Sequence, residues 1–356
     1  MDTNNFPWLE LIDYPAFCVR DGVVIATNAL AEQRQFRVGT DIQEIVTDHW
    51  DIYQAFESGN LCLNVSVCGV PYPASVVRMQ ECDIFYLIRR TEDDDALRSL
   101  SLAATQLRIP LANLMTVADQ LLPGIKITNK DTKLQISQIN QNLYRLLRIV
   151  SNMSDAGGYA YSGNFGAETA DIVSLMAEIM EKAQGFFADT GIRLAYQGPE
   201  HSVFSVVDAE KIERAIYNLL SNAAKFSRKG STVTASLAVK NDRLIFTLCN
   251  TNAEDLPKQS LWQQYRRDPG LEDPRHGLGL GMTLASAAAT SHGGTILADS
   301  PAEGQTRITM TLPIVKGSSD TLRSPIVHMG DYAGGRDRGL IELAEVLPPE
   351  SYRNTN

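Results

Sequence analysis

At 356 residues the chain exceeds one ordinary core, so two or three domains are expected. An apolar content of 44% and a charged content of 21% describe a folded globular protein rather than a disordered one. A formal charge of −10 argues against a phosphate-backbone partner, so nucleic acid is not the expected ligand.

Residues 1–10 hold acidic and polar side chains and no long apolar run, unlike a signal peptide. No stretch approaches the roughly 18 apolar residues of a membrane span, and a cytoplasmic location is expected. Residues 1–90 alternate short apolar runs with turn signals. Segments 16–20 and 23–27 flank Asp21-Gly22, a strong hairpin signal, and 61–67, 75–77 and 83–89 continue as strands. Helices are expected around 29–35 and 42–56. The order of elements and the run PAFCVRDGVVIATNALAE resemble a PAS sensor domain. The five cysteines (18, 62, 68, 82, 249) form no CxxC pair, which reads as reduced thiols and no zinc site.

An acidic run, 92–95, opens a helix in which Leu97, Leu100, Ala104, Leu107, Leu111, Leu114, Ala118 and Leu121 recur at spacings of three and four. Pro123-Gly124 breaks this seam. A second one follows through Ile136, Ile139, Leu143, Leu146, Val150 and Met153. Two seamed helices joined by a loop make an antiparallel hairpin that cannot cover its own stripe, so pairing into a four-helix dimer through residues 93–157 is expected. Gly157-Gly158 and residues 159–166 read as a linker, and the segment 316–356, with its apolar patch at 340–347, as an extension able to dock on the preceding domain.

Asp208 can cap a helix over 209–226, with Ile212, Ile216, Leu219, Ala223 and Phe226 on one face. Asn218, Asn222 and Lys225 share an arc of about 60°, roughly 110° from that face, at about 100° per residue. Amide oxygens suit Mg²⁺, and an ammonium can neutralise the phosphates that share the ion. Further on, Gly277, Gly279 and Gly281 alternate directly before an Ala-rich helix. Glycines let the backbone approach phosphates, and a helix start supplies free N–H groups.

Order and spacing together carry a resemblance to sensor histidine kinases over roughly 95–315. NLLSNAAKFS (218–227) resembles the N box, with Asn222 as magnesium ligand and Lys225 as phosphate contact. LWQQYRRD (261–268) resembles the F box, with Trp262 and Tyr265 in its aromatic places. GLGLG (277–281) is similar to the G2 box, and EGQT (303–306) to the closing Gly-x-Thr strand, which assigns Thr306 to the nucleotide site. The G1 box departs: Asn250 stands where the family places an aspartate that accepts from the adenine amine, and both glycines are absent. An amide still accepts that bond, without charge assistance.

The stretch TQLRIPL (105–111) matches the family's His-Glu-Leu-Arg-Thr-Pro-Leu, except that Thr105 replaces the phosphate-accepting histidine, Gln106 the acidic base and Ile109 the threonine. A hydroxyl needs a base to become nucleophilic, and Gln106 cannot serve. The seam turns Ala104 and Leu107 inward and Thr105 outward. None of His49, His201, His276, His292 and His328 lies on that helix. Asn218 also sits where related hydrolases carry a water-activating glutamate, so fast hydrolysis is not expected.

The resemblance implies an α+β multidomain protein. It would have a PAS-like domain (1–90), a dimerisation hairpin (93–157), a histidine kinase/Hsp90-like α/β sandwich (168–315) and an extension (316–356). The expected cofactors are ATP and Mg²⁺; the expected partners are a second copy and a response regulator or another kinase. Three functions stay open: a nucleotide-binding regulator that does not phosphorylate itself on histidine, a kinase with a serine or threonine acceptor, and a nucleotide-free dimeric scaffold.

Overall fold

The computed structural model describes residues 6–12, 14–79, 82–87, 93–125, 130–160, 166–253, 280–316 and 336–352. The first strands, β1 (Ala16–Arg20) and β2 (Val23–Thr27), pair antiparallel about the Asp21-Gly22 turn, where both residues have positive φ. Three short helices follow: α1 (Ala29–Glu32), α2 (Ile42–Ile45) and α3 (Trp50–Ala55). The single helix expected around 42–56 is thus two. The break lies at 46–49, and His49 occupies the α3 N-cap without a side-chain cap bond. Strands β3 (Asn60–Val67), β4 (Val70–Arg78) and β5 (Asp83–Leu87) complete an antiparallel set ordered β2-β1-β5-β4-β3. Its core is aromatic, Phe17 stacking on Phe36 and Phe85 at centroid distances of 4.9 and 4.7 Å.

Two long helices come next, α4 (Asp93–Leu121) and α5 (Lys130–Ala160), packed side by side. The turn at Leu122–Gly124 separates them, at the break expected of Pro123-Gly124. The expected linker at Gly157-Gly158 is instead helical. Two glycines cost about 1 kcal/mol each in a helix interior and do not end this one. Ala104, Leu111 and Met115 of α4 are buried, whereas Leu107, Leu114 and Leu121, with Ile139 and Leu146 of α5, are exposed. The inward placement of Leu107 is therefore not found within one chain. The apolar stripe is wider than a single neighbouring helix covers.

The remaining chain runs β6 (Glu168–Asp171), α6 (Ile172–Ala188), β7 (Arg193–Gln197), β8 (Phe204–Val207), α7 (Ala209–Phe226), β9 (Thr232–Lys240), β10 (Arg243–Thr251), α8 (Leu280–Ser291), β11 (Thr295–Asp299), β12 (Gln305–Pro313) and α9 (Arg338–Glu342). Strands β11-β12-β10-β9-β7 form one sheet, with β7 parallel to β9 and the other pairs antiparallel. Along β10 every second residue is buried, and Leu244, Phe246 and Leu248 meet the helices α6, α7 and α8 in one core. β6 and β8 pair separately.

The two sheets join. β3 pairs antiparallel with β11 through Ile296↔Cys62, Leu297↔Leu61 and Ala298↔Asn60, giving ten strands in all. Gly59 permits the junction. Its φ is +97°, and a Cβ there would lie 2.3 Å from the Ala298 carbonyl oxygen. Among the described residues no helix is long and apolar enough to cross a membrane.

Candidate functional site

Helix α7 starts where Asp208 accepts a hydrogen bond from the Lys211 amide at 3.1 Å, as its cap position requires. The Asp208 amide in turn donates to Nε2 of His292 at 2.9 Å, and Nδ1 of His292 lies 2.7 Å from the Ala288 carbonyl. His292 is thus a neutral imidazole that ties the end of α8 to the start of α7. Burial, the largest influence, lowers its pKa below the ordinary 6.5.

Helix α8 packs on α7, and its Ala285, Ala288 and Ala289 are wholly buried. At its beginning, a Cβ on Gly281 would lie 2.9 Å from Oδ1 of Asn218. The amide-bearing helix and the glycine segment, far apart in sequence, therefore meet at Gly281 and Asn218.

Asn218 is not turned into an open cleft. It is 0% exposed, donates to the Arg214 carbonyl at 3.0 Å, and accepts from Nη2 of Arg148 on α5 at 3.3 Å. The 3.6-residue arc gave its direction but not the arginine lying over it. Asn222, one turn on, is half-buried, and its amide nitrogen has no hydrogen-bond partner among the described residues. That nitrogen can donate to an acceptor such as a phosphate oxygen, and the side-chain oxygen is the atom able to meet a cation. Lys225 forms an ion pair with Glu345 of the C-terminal segment.

On β10, Nδ2 of Asn250 donates to Oδ1 of Asn252 at 3.0 Å, and the Thr306 hydroxyl donates to the same oxygen at 3.1 Å. Asn250 faces Thr306 in the ladder, and both are buried. Oδ1 of Asn250 is the atom of that side chain able to accept from an amine. Tyr265, Trp262, Gly277 and Gly279 lie outside the described residues, as do His276 and His328. Thr105 and Gln106 are exposed on α4. Among the described residues no cluster of three His, Cys, Asp or Glu could hold a metal ion. A magnesium ion held by one amide and by phosphate oxygens needs no such cluster, so the residues present fit that ion with its nucleotide.

Residues 207–316 match the family model described as histidine kinase-, DNA gyrase B-, and HSP90-like ATPase. The sensor histidine kinase WalK of Bacillus subtilis is 27% identical over 222 residues, covering 60% of this chain and 36% of WalK. The sensor protein KdpD of Clostridium acetobutylicum is 25% identical over 222 residues, covering 61% of this chain and 24% of KdpD. Residues 207–316 thus form a domain of that ATPase type, and the chain is similar to sensor histidine kinases. It spans less than half the length of either of these relatives. The crystal structure of full-length ShkA in complex with AMPPNP superposes with a TM-score of 0.50 at 18% identity, covering 62% of this chain and 46% of that one. That likeness is one of fold.

Beside this site the sequence concealed a buried ionic cluster. Glu342, 0% exposed, accepts from Nε of Arg148 and Nε of Arg214, each at 3.3 Å. Arg214 also donates to Asn152 of α5 at 3.2 Å. Arg148 lies 3.2 Å from Glu345. Burial pushes the Glu345 carboxyl up, but Arg148 and Lys225 outweigh it and hold the group below its ordinary value. One signal was available: Arg148 interrupts the apolar run LLRIV and Glu342 the run LIELAEVL, and a charge inside an apolar run is buried with a partner.

Proposed function

We propose that this protein is a histidine-kinase-like signalling protein that binds Mg-ATP and does not phosphorylate itself on histidine. The observation that carries the reading is the contact of Gly281 with Asn218, which draws the N-box-like helix and the glycine segment to one place. In this reading Asn222 holds the magnesium ion, Lys225 meets phosphate oxygens, and Asn250, supported through Asn252 by Thr306, accepts from the adenine amine. Gly277, Gly279 and Gly281 let the backbone close on the phosphates, with Tyr265 beside the nucleotide and Asn218 buttressing the helix. AMPPNP in the ShkA crystal supports a nucleotide as the ligand.

Bound Mg-ATP would supply a transferable phosphoryl group, but this chain's own residues do not supply its acceptor. Thr105 and Gln106 leave α4 without an imidazole or a carboxylate base at the matching positions. Nucleotide occupancy, or a ligand in the PAS-like unit of residues 1–90, then acts by shifting helices toward a partner, a response regulator or another kinase. The five-stranded antiparallel set with its helices between β2 and β3 supports the PAS-like reading. The exposed Leu107, Leu114, Leu121, Ile139 and Leu146 support a homodimer through residues 93–157. A cytoplasmic location goes with this reading.

Calorimetry with ATP and Mg²⁺ tests it. Binding should be measurable and should weaken at least about tenfold in Asn222→Ala, as loss of a metal ligand requires. No heat of binding would leave the dimeric scaffold. Incubation with γ-labelled ATP should give no acid-labile phosphate, and a stoichiometric signal would overturn the regulatory reading. Acid-stable phosphate on Thr105 would favour a threonine kinase, for which its exposed hydroxyl is the one favourable observation.

A further inference from the structure

The C-terminal segment 338–352 packs at once on the hairpin helix α5 and on α6 and α7 of the ATPase domain. Toward the hairpin, Gln141 of α5 donates to the Leu347 carbonyl at 2.6 Å, Arg145 donates to the Ala344 carbonyl at 3.0 Å, and the ring of Tyr352 lies 5.1 Å from that of Tyr144. Toward the ATPase domain, Arg338 pairs with Glu213 of α7 at 2.8 Å, and Leu340–Tyr352 is pinned internally by the Tyr352 hydroxyl donating to the Leu340 carbonyl at 2.7 Å. Ile341, Leu343, Ala344, Leu347 and Tyr352 are buried to 2% exposure or less. This is a packed element of the fold and no loose tail.

Its two carboxylates differ in position. Glu342 is sealed between Arg148 and Arg214, one from each element, and so fixes the segment. Glu345 lies at the rim, its side chain 24% exposed, and engages Lys225 and Arg148. An acidic oxygen thus sits on the ammonium that the nucleotide reading reserves for phosphate. A carboxylate and a phosphate oxygen present the same anionic acceptor to a lysine, and one ammonium cannot serve both fully.

We propose that the segment 338–352 is an intramolecular latch in which Glu345 competes with nucleotide phosphate for Lys225, so that nucleotide binding loosens the segment from the hairpin helix α5. The inference rests on the nucleotide reading of Lys225 given above. Glu342 is the anchor and Glu345 the gate. Because linkage is reciprocal, whatever strengthens the latch weakens nucleotide binding by the same factor. Arg148 extends the coupling, since it touches Glu342, Glu345 and Asn218 together.

The test uses the full chain and Glu345→Gln, a rim substitution that keeps size and removes charge. Calorimetry is run with Mg-ATP and, separately, with adenosine, which has no phosphate. Mg-ATP should bind about fivefold or more tightly to the variant, the worth of one partly exposed ion pair, while adenosine affinity stays the same. Hydrogen exchange at residues 340–347 of the wild-type protein should quicken when Mg-ATP is added. Equal Mg-ATP affinities overturn the latch and leave the nucleotide reading standing. A gain that adenosine shares shows a general loosening and overturns the competition. Absence of Mg-ATP binding to either protein takes down both readings together.

Discussion

Helices α4 and α7 both resemble motifs of the sensor histidine kinases, and the proposed reading treats them in opposite ways. On α4 Ala104 and Leu111 are buried and residue 105 is exposed, and in the proposed reading Thr105 and Gln106 stand in the places of the reactive side chains. On α7 the side chains Asn218, Asn222 and Lys225 persist, but two of them are engaged by residues from outside the helix, Arg148 and Glu345. A motif fixes which groups are present, while neighbouring elements fix whether those groups are available.

The largest effect should come from the cluster around α7. Glu342→Ala leaves the paired Arg148 and Arg214 guanidiniums without their shared carboxylate, and urea denaturation should show a loss of about 3–5 kcal/mol. A loss under 1 kcal/mol would mean that α7 is no more constrained than α4, and the contrast would fail. Next is Gly281→Ala, whose new methyl must displace the Asn218 side chain. Thermal unfolding should report roughly 1–3 kcal/mol, typical of overpacking. An unchanged midpoint would show that α8 does not press on α7.

A smaller effect should follow pH. His292 is held neutral by burial and accepts from the Asp208 amide through Nε2, so a proton there removes the acceptor. Its folded pKa lies below the ordinary 6.5, so the unfolded chain binds protons first, and stability falls as pH drops below about 6.5 toward the folded value. His292→Gln should flatten that slope by less than one proton. Part of the slope should remain, since burial lowers His49 in the same sense. A steeper slope in the variant would contradict the assignment. The smallest effect belongs to α4: Thr105→Ala, at an exposed site, should shift stability by no more than about 0.5 kcal/mol and leave phosphate incorporation at background.

Much of the fold could be read from local chemistry. The turn at Asp21-Gly22, the cap at Asp208 and the break at Pro123-Gly124 each follow from backbone rules that act within a few residues. The direction in which Asn218 and Lys225 project followed from helical period alone. Their partners did not, because Arg148 and Glu345 are separated from them by 70 and 120 residues, and period carries no information across such distances. The joining of β3 to β11 was hidden for the same reason. Alternating burial marks a strand without naming its neighbour. Gly157-Gly158 misled in the other direction, since the local preference against glycine is weak and the helix runs through both.

The β3–β11 ladder has a practical consequence for anyone dividing this protein. A fragment that begins after residue 90 would strip the partner from β11 and bare the backbone amides and carbonyls of 296–298, flanked by Ile296 and Leu297. An uncovered apolar edge invites strand addition by other molecules. Such a fragment should therefore self-associate in solution, and a lysine introduced at Leu297 should restore its solubility.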